Sequence, residues 1–305
     1  MNADHWLKYI RAEGIVISQS HLKGDWGVHM DSADGSYFHF VAQGTAYFSI
    51  DGTDPIQLVA GDLIVLPQGD AHSLKRNQDS RTVSLGHFAK HSTGLTVKDP
   101  QGTGFLCGAF GIDRHMVLPA IKSLPRALLL KSDAGNLAPS TIRTLAQLRA
   151  EVENSQPGSK VVIRHLLSTL FIYVLREWTE RPTAASSNWF SAMQSPHIAA
   201  ALACIHEKPD DDWNLDRLAQ EAGLSRSVFA RQFRESVGET PHVYLTRWRL
   251  GIAAQLLHQT TLSIGEIAFR VGYQSEHSFN RAFKTVRGIT AAKERESRQP
   301  APQPA

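Results

Sequence analysis

The decisive stretch reads AGLSRSVFARQFRESVGETPHVYLTRWRL from Ala222 to Leu250, followed by SIGEIAFRVGYQSEHSFNRAF from Ser263 to Phe283. Nearly the same pattern occurs twice. Leu218-Ala219-x-x-x-Gly223 is answered by Ile267-Ala268-x-x-x-Gly272 at an offset of 49. Phe229-x-Arg231-x-Phe233 with Gly238 is answered by Phe279-x-Arg281-x-Phe283 with Gly288 at an offset of 50. Two copies are too few for a solenoid, so the stretch reads as a tandem pair of like motifs.

Each copy has the pattern of a helix-turn-helix. A short helix, 215–222 in the first copy and 263–271 in the second, stops at a glycine, which tolerates the positive φ of a sharp turn. Ser225 or Ser275 follows, placed to cap a second helix through its side-chain oxygen. In that helix Val228, Phe229, Phe233 and Val237 share one face, while Ser227, Ala230, Arg231 and Arg234 share the opposite one. The later copy repeats the division, with Phe279, Ala282, Phe283 and Val286 inward and His277, Asn280, Arg281 and Lys284 outward. Such an outward face suits the major groove, where Arg pairs bidentately with guanine and Asn with adenine.

Between the copies, Pro241 can open a helix whose apolar stripe runs from Val243 through Tyr244, Trp248, Leu250 and Leu257 to about Gln259. Nineteen residues at about 1.5 Å each give a rod of roughly 28 Å. That approaches the ~34 Å between successive major-groove faces.

These residues resemble the DNA-binding domain of the AraC family of bacterial transcription regulators, over about 90 residues that include both turns and the linking helix. The resemblance implies base-reading roles for Ser227, Ala230 and Arg231 in the first copy and for Glu276, His277, Asn280 and Arg281 in the second. It implies backbone contacts for Arg226, Arg234 and Lys284. Two departures stand out. Ala230 is too small to read a base edge, and the usual Pro and Tyr after the last glycine are replaced in Gly288-Ile289-Thr290-Ala291-Ala292, which predicts a weak final helix.

Charge agrees with this division of labour. Residues 1–135 hold 12 Lys and Arg against 13 Asp and Glu, a net of −1, whereas 225–290 hold 9 against 4, a net of +5. The basic segment is the one nominated to meet phosphate. Two cysteines, Cys107 and Cys204, provide no disulfide framework and fit a reducing cytosol. The first residues lack the apolar run of a signal peptide, and no 18-residue uncharged apolar stretch predicts a membrane span.

From Gly14 to about His91 the texture is β: Tyr37–Val41, Ala46–Ile50, Leu63–Leu66 and Thr82–Phe88 alternate between Gly, Asp and Pro turn signals. Many short strands of this kind suggest a sandwich or barrel. Gly61-Asp62-Leu63-Ile64-Val65-Leu66-Pro67-Gln68-Gly69-Asp70-Ala71-His72 is similar to the second cupin signature. The resemblance extends, over roughly residues 5–130, to the ligand-sensing cupins that precede many AraC-type DNA-binding domains. The first cupin signature fits badly: Tyr37 stands where a metal-binding Glu belongs, and the His pair is missing upstream. No metal or other cofactor is therefore expected. Trp26, His29, Tyr37, His39 and His72 are the candidates to line a pocket for a small effector, with a hydrogen-bonded structural role for His72 as the plainer alternative.

Cys107 reads either as a small buried residue where the barrel should end or as an oxidant-sensing thiol. Thr141–Val152 and 159–178 are amphipathic helices. The second is wide enough in its apolar face to pack on the barrel or to pair with a second copy. Residues 180–187 read as linker and 297–305 as a disordered tail.

The expected architecture is α+β and multidomain. A cupin-like β-barrel spans 1–135, a helical dimerisation segment 136–180, a linker 181–195, an all-α tandem helix-turn-helix domain 196–296, and a tail 297–305. The expected function is sequence-specific transcriptional regulation, activation in the first instance, in the cytoplasm. Promoter DNA, RNA polymerase, a small-molecule effector and a second copy are the expected partners, with no catalysis. The alternatives are a metal-dependent cupin enzyme with a fused DNA-binding domain and a Cys107-based redox regulator.

Overall fold

The computed structural model describes residues 13–33, 35–91, 102–111, 121, 124–132, 137–179 and 195–296, and among these it forms ten strands and ten helices. The chain divides into a sheet-rich unit over 10–112 and 124–184 and a helical unit that includes 185–305.

In the sheet-rich unit one sheet has the order β1 (Glu13–Leu22), β9 (Thr103–Gly111), β3 (Ser36–Gln43), β6 (Leu63–Leu66), β10 (Leu128–Leu130). The other has the order β5 (Ile56–Val59), β4 (Thr45–Ile50), β7 (His72–Lys75), β2 (Gly27–Met30), β8 (Val83–Ser84). All pairings are antiparallel except β2 with β8. Period-2 facing sends Tyr37, His39 and Val41 of β3 into a core shared with Val28, Met30, Phe48 and Leu74 of the other sheet. Phe38 faces the other way, and it is buried too, because helices cover the outer side of that sheet. Phe38 packs near Phe110 of β9, and Phe110 meets Phe171 edge-on at 5.8 Å between centroids.

Phe171 belongs to α3 (Ser159–Thr179), which pairs with α2 (Pro139–Asn154). The wide apolar stripe of α3 is largely spent here: Ile163, Leu167, Leu170, Val174 and Leu175 are all buried. Val161, Val162 and, on α2, Ile142 stay exposed.

Two sequence expectations fail in this unit. Thr82–Phe88 is not a strand. Only Val83–Ser84 pairs, after which α1 (Leu85–His91) begins, the Ser84 hydroxyl accepting from the His87 amide at 3.3 Å. Cys107 does not sit at the end of the sheet but in the middle of β9, with Ser18 and His39 as its register partners on either side. β9 and β10 lie beyond the stretch in which strands were expected. The first half of β9, Thr103–Leu106, is buried on both faces and carries no alternation to read, and β10 is only three residues long.

The helical unit starts with α4 (Pro196–Glu207), then α5 (Leu215–Glu221), α6 (Arg226–Val237), α7 (Pro241–Gln259), α8 (Ile264–Arg270), α9 (Glu276–Arg287) and α10 (Ala291–Glu296). The turn glycines Gly223 and Gly272 have φ of 64° and 86°, and Gly238 and Gly288 close α6 and α9 in the left-handed region. Ser275 caps α9 by accepting from the Ser278 amide, but Ser225, though in the N-cap position of α6, makes no such bond. The 19-residue rod expected between the motifs is α7. Phe229 and Phe233 of α6 and Phe279 and Phe283 of α9 are fully buried.

The final helix, expected to be weak, is formed and pinned. Ala291 is fully buried, and Glu294 accepts from Arg287 at 2.7 Å with His258 3.4 Å away. A buried ion pair thus ties α10 to the end of α9. The expected linker, 180–187, and the tail, 297–305, lie outside the described residues.

Candidate DNA-reading helices and a cavity between the sheets

On α6 and α9 the buried phenylalanines fix which face turns outward. Ser227, Arg231, Arg234, Glu276, His277, Arg281 and Lys284 are exposed, and Ala230 and Asn280 are half-buried beside them. The two helices therefore bring all seven nominated base-reading residues to accessible faces. Arg231 is 65% exposed, and its contact with Glu235, at 4.0 Å, is too loose to compete seriously with a ligand. Arg226 is equally exposed but leans 3.3 Å from Asp216 of α5, across the turn. Asn280 donates to Glu276 at 3.4 Å, so these two neighbours arrive at a ligand as a linked pair.

Burial elsewhere in the unit serves to hold these faces. Arg247 of α7 donates to Glu239 at 2.7 Å in the turn after α6, and Arg249 donates to the Pro209 and Asp211 carbonyls at 2.6 and 2.8 Å. The Ser263–Glu266 capping box starts α8.

The sheet-rich unit holds a cavity of about 250 Å³. Its walls come from Val16, Ser18, Gln19, Ser20 and Leu22 of β1, from Trp26, Val28 and Met30, from Tyr37 and His39, from Leu74, from Leu85, Phe88 and Ala89 of α1, and from Phe105, Cys107, Gly108 and Ala109 of β9. Of the five nominated pocket residues, Trp26, Tyr37 and His39 line it. His72 lies one layer behind His39, and His29 points elsewhere, meeting the Ser73 hydroxyl at 3.1 Å and Asp31 at 3.6 Å. The walls missed by the sequence reading had a signal: Leu85, Phe88 and Ala89 recur at helical spacing inside a stretch read as strand.

A directed chain of hydrogen bonds forms the polar edge of this cavity. The Asp70 carbonyl, 2.7 Å from His72 Nδ1, can only accept, so His72 Nδ1 carries a hydrogen. Burial holds His72 below the ordinary imidazole pKa, so its other nitrogen is an acceptor, and His39 Nε2, 2.7 Å away, donates to it. His39 is likewise held well below the ordinary value, by burial first and by His72 second, which leaves His39 Nδ1 as acceptor. Cys107 Sγ, at 2.9 Å, then donates to His39. Burial pushes the Cys107 thiol up to about 12, so the group is a neutral thiol. That is the opposite of what an oxidant-sensing thiolate needs.

This arrangement does not fit the metal implied by the cupin signature. The two nitrogens face each other along a hydrogen bond of 2.7 Å, closer than the roughly 3.3 Å that two ligands of a tetrahedral zinc at about 2.0–2.1 Å would keep. Among the described residues no group of three or more His, Cys, Asp or Glu side chains is placed to hold one. The signature's other residues serve the fold. Gly69, at φ 69°, passes where a Cβ would strike the Ala33 and Gly35 carbonyls at 2.3 Å. Buried Asp62 accepts from the Val59 and Ser132 amides and from Lys131. No helix among the described residues is long and apolar enough to cross a membrane.

Comparison with known proteins matches residues 4–180 to the family described as Cupin and residues 218–297 to that described as a helix-turn-helix domain. The HTH-type transcriptional regulator AlkR of Acinetobacter baylyi is 31% identical over 271 residues, covering 86% of this chain and 88% of that protein. A putative AraC-like transcription regulator of Streptomyces lividans is 31% identical over 286 residues, 90% of this chain and 93% of that one. Among solved structures, a transcriptional regulator with an AraC-type DNA-binding domain from Chromobacterium violaceum aligns at 30% identity and a TM-score of 0.34, covering 37% of this chain and 99% of that one.

Proposed function

We propose, from the premise that this chain belongs to the AraC-like helix-turn-helix transcriptional regulators and carries an N-terminal cupin, that α6 and α9 read base edges in two successive major grooves of promoter DNA. The observation that carries this reading is the equivalence of Arg231 and Arg281, which stand at matching exposed positions on two helices with matching glycine ends. Arg231 and Arg281 take guanine, Asn280 adenine, and Glu276 the cytosine amino group, while Ser227 and His277 make further polar contacts and Ala230, too small for a hydrogen bond, offers only apolar contact to a thymine methyl. Arg226, Arg234 and Lys284 hold phosphates.

In the same reading the two sheets close as a cupin-type barrel, and its cavity holds a small effector. An effector acts only through unequal affinity for two arrangements of the chain, which shifts the fraction competent for DNA. Activation through RNA polymerase, a cytoplasmic setting and self-association across 159–178, through exposed Val161 and Val162, complete the proposal. Domain limits near 135, 180, 195 and 296 go with it. A metal-dependent cupin enzyme draws no support from the His39–His72 pair, whose nitrogens are spent on each other.

The test is a hydroxyl-radical footprint of the full chain on promoter DNA. Protection on one face of the duplex over two successive turns supports the reading, and protection confined to one turn rejects it.

A further inference from the structure

The cavity in the sheet-rich unit carries its own statement about what fills it. Among its described wall residues there is no Asp, Glu, Lys or Arg. The ionisable groups that do reach it are all committed: Tyr37 donates its hydroxyl to the Asp31 carbonyl at 3.2 Å, Cys107 donates to His39, and His39 donates to His72. Because the chain of bonds ends on the Asp70 carbonyl, it runs in one direction and leaves none of its N–H or S–H hydrogens for a ligand. Burial keeps each of these groups in its uncharged form. The remaining wall is mostly hydrocarbon and aromatic, with Trp26 set edge-on to Phe105 at 5.6 Å between centroids, and its polar exceptions carry no charge: Ser18, Gln19, Ser20 and the Trp26 indole N–H, which is buried without a hydrogen-bond partner.

An ion entering such a space would give up its hydration and meet no opposite charge. An apolar molecule would lose nothing by entering. The volume of about 250 Å³ lies below the ~300 Å³ at which pockets for drug-sized ligands begin, so the occupant is small.

We infer that the effector of this protein is a small, uncharged, predominantly hydrocarbon molecule, seated between the two sheets against Trp26, Phe105 and the His39–Cys107 edge. This inference rests on the reading of the cavity as the effector site and adds the chemical class to it.

The experiment uses three probes of one length, octan-1-ol, octanoate and octylammonium, titrated into the full chain at pH 7.5. Thermal unfolding and tryptophan fluorescence are the readouts. Octan-1-ol should stabilise the protein. The two ions should bind at least ~100-fold more weakly, because neither finds a counter-charge. Octanoate should gain affinity as the pH falls toward about 4.3, the ordinary carboxyl value, where it becomes neutral. Ala109→Phe, which fills the cavity, should abolish the octanol response. Since the added ring can also disturb the sheet, Ser18→Lys at the exposed rim provides an independent variant, and should improve octanoate binding by at least ~10-fold through the new cation. Octanoate binding to the unaltered chain within threefold of octanol would overturn the chemical class while leaving the effector site standing. Binding by none of the three probes, or octanol binding unaffected by a folded Ala109→Phe, would overturn the site itself.

Discussion

His39 Nε2 lies 2.7 Å from His72 Nε2, a distance that two imidazolium rings could not share. Both rings are buried and both are held below the ordinary imidazole pKa, chiefly by that burial. A folded-state pKa below the unfolded value of about 6.5 means that the unfolded chain binds protons the native one refuses. Stability from this pair is therefore fully present above about pH 6.5 and falls away as the pH drops toward the folded values. Urea denaturation should show the unaltered chain losing stability between pH 7.5 and 5.5. His39→Leu should be less stable at pH 7.5, by about 1–3 kcal/mol, since it leaves the Cys107 and His72 groups unpaired, but its pH dependence over that range should be flatter. Equal slopes for the two proteins would remove the pair from the account.

Glu294 binds Arg287 in a setting where both side chains are about nine-tenths buried. Removing one partner leaves the other charged and dry. Glu294→Ala should cost about 3–5 kcal/mol in denaturant unfolding, whereas the double change Arg287→Met with Glu294→Leu should cost much less, because no charge is stranded. A single variant as stable as the parent would return the last helix to the weak element its sequence suggests.

The two turn glycines are not equivalent. Both have positive φ, which costs a substituted residue roughly 1–2 kcal/mol. A Cβ at Gly223 finds nothing nearer than His197 at 3.9 Å, but one at Gly272 would sit 2.8 Å from the Arg249 guanidinium and 2.9 Å from the Asp210 backbone. Gly272→Ala should therefore destabilise clearly more than Gly223→Ala, as thermal unfolding of the two variants would report.

Capping makes a parallel contrast. Ser275→Ala removes a bond to the Ser278 amide and should cost about 1 kcal/mol, while Ser225→Ala removes none and should cost little. Similar losses at the two serines would contradict the assigned cap geometry.

How much was legible beforehand follows from what each part of the fold asks of its residues. The paired helices are amphipathic at the surface of their unit, so Phe229 and Phe233 against Arg231 and Arg234 write both the period and the facing into the sequence. Their turns demand positive φ, and Gly223 and Gly272 announce it. The cavity was legible only in part, because its walls come from strands distant in the chain. Tyr37 and His39 share a face by alternation, but that His72 stands behind His39 while Cys107 stands beside it depends on the register of β3 with β9 and on the packing of one sheet over the other. The strand containing Cys107 was hidden because its first half, Thr103–Leu106, is buried on both faces. Helix α1 was hidden because Thr82–Phe88 satisfies a two-residue and a helical period over so short a span.

The most direct measurement is selection of binding sites from random DNA by the full chain and, separately, by Arg231→Ala and Arg281→Ala. The unaltered chain should select two short motifs about 10–10.5 base pairs apart, one helical turn. Each variant should bind more weakly, by about 1–3 kcal/mol, and lose base preference in one motif while keeping it in the other. A single motif, or two variants that select the same two motifs as the parent with undiminished preference, would contradict the claim that α6 and α9 read the DNA.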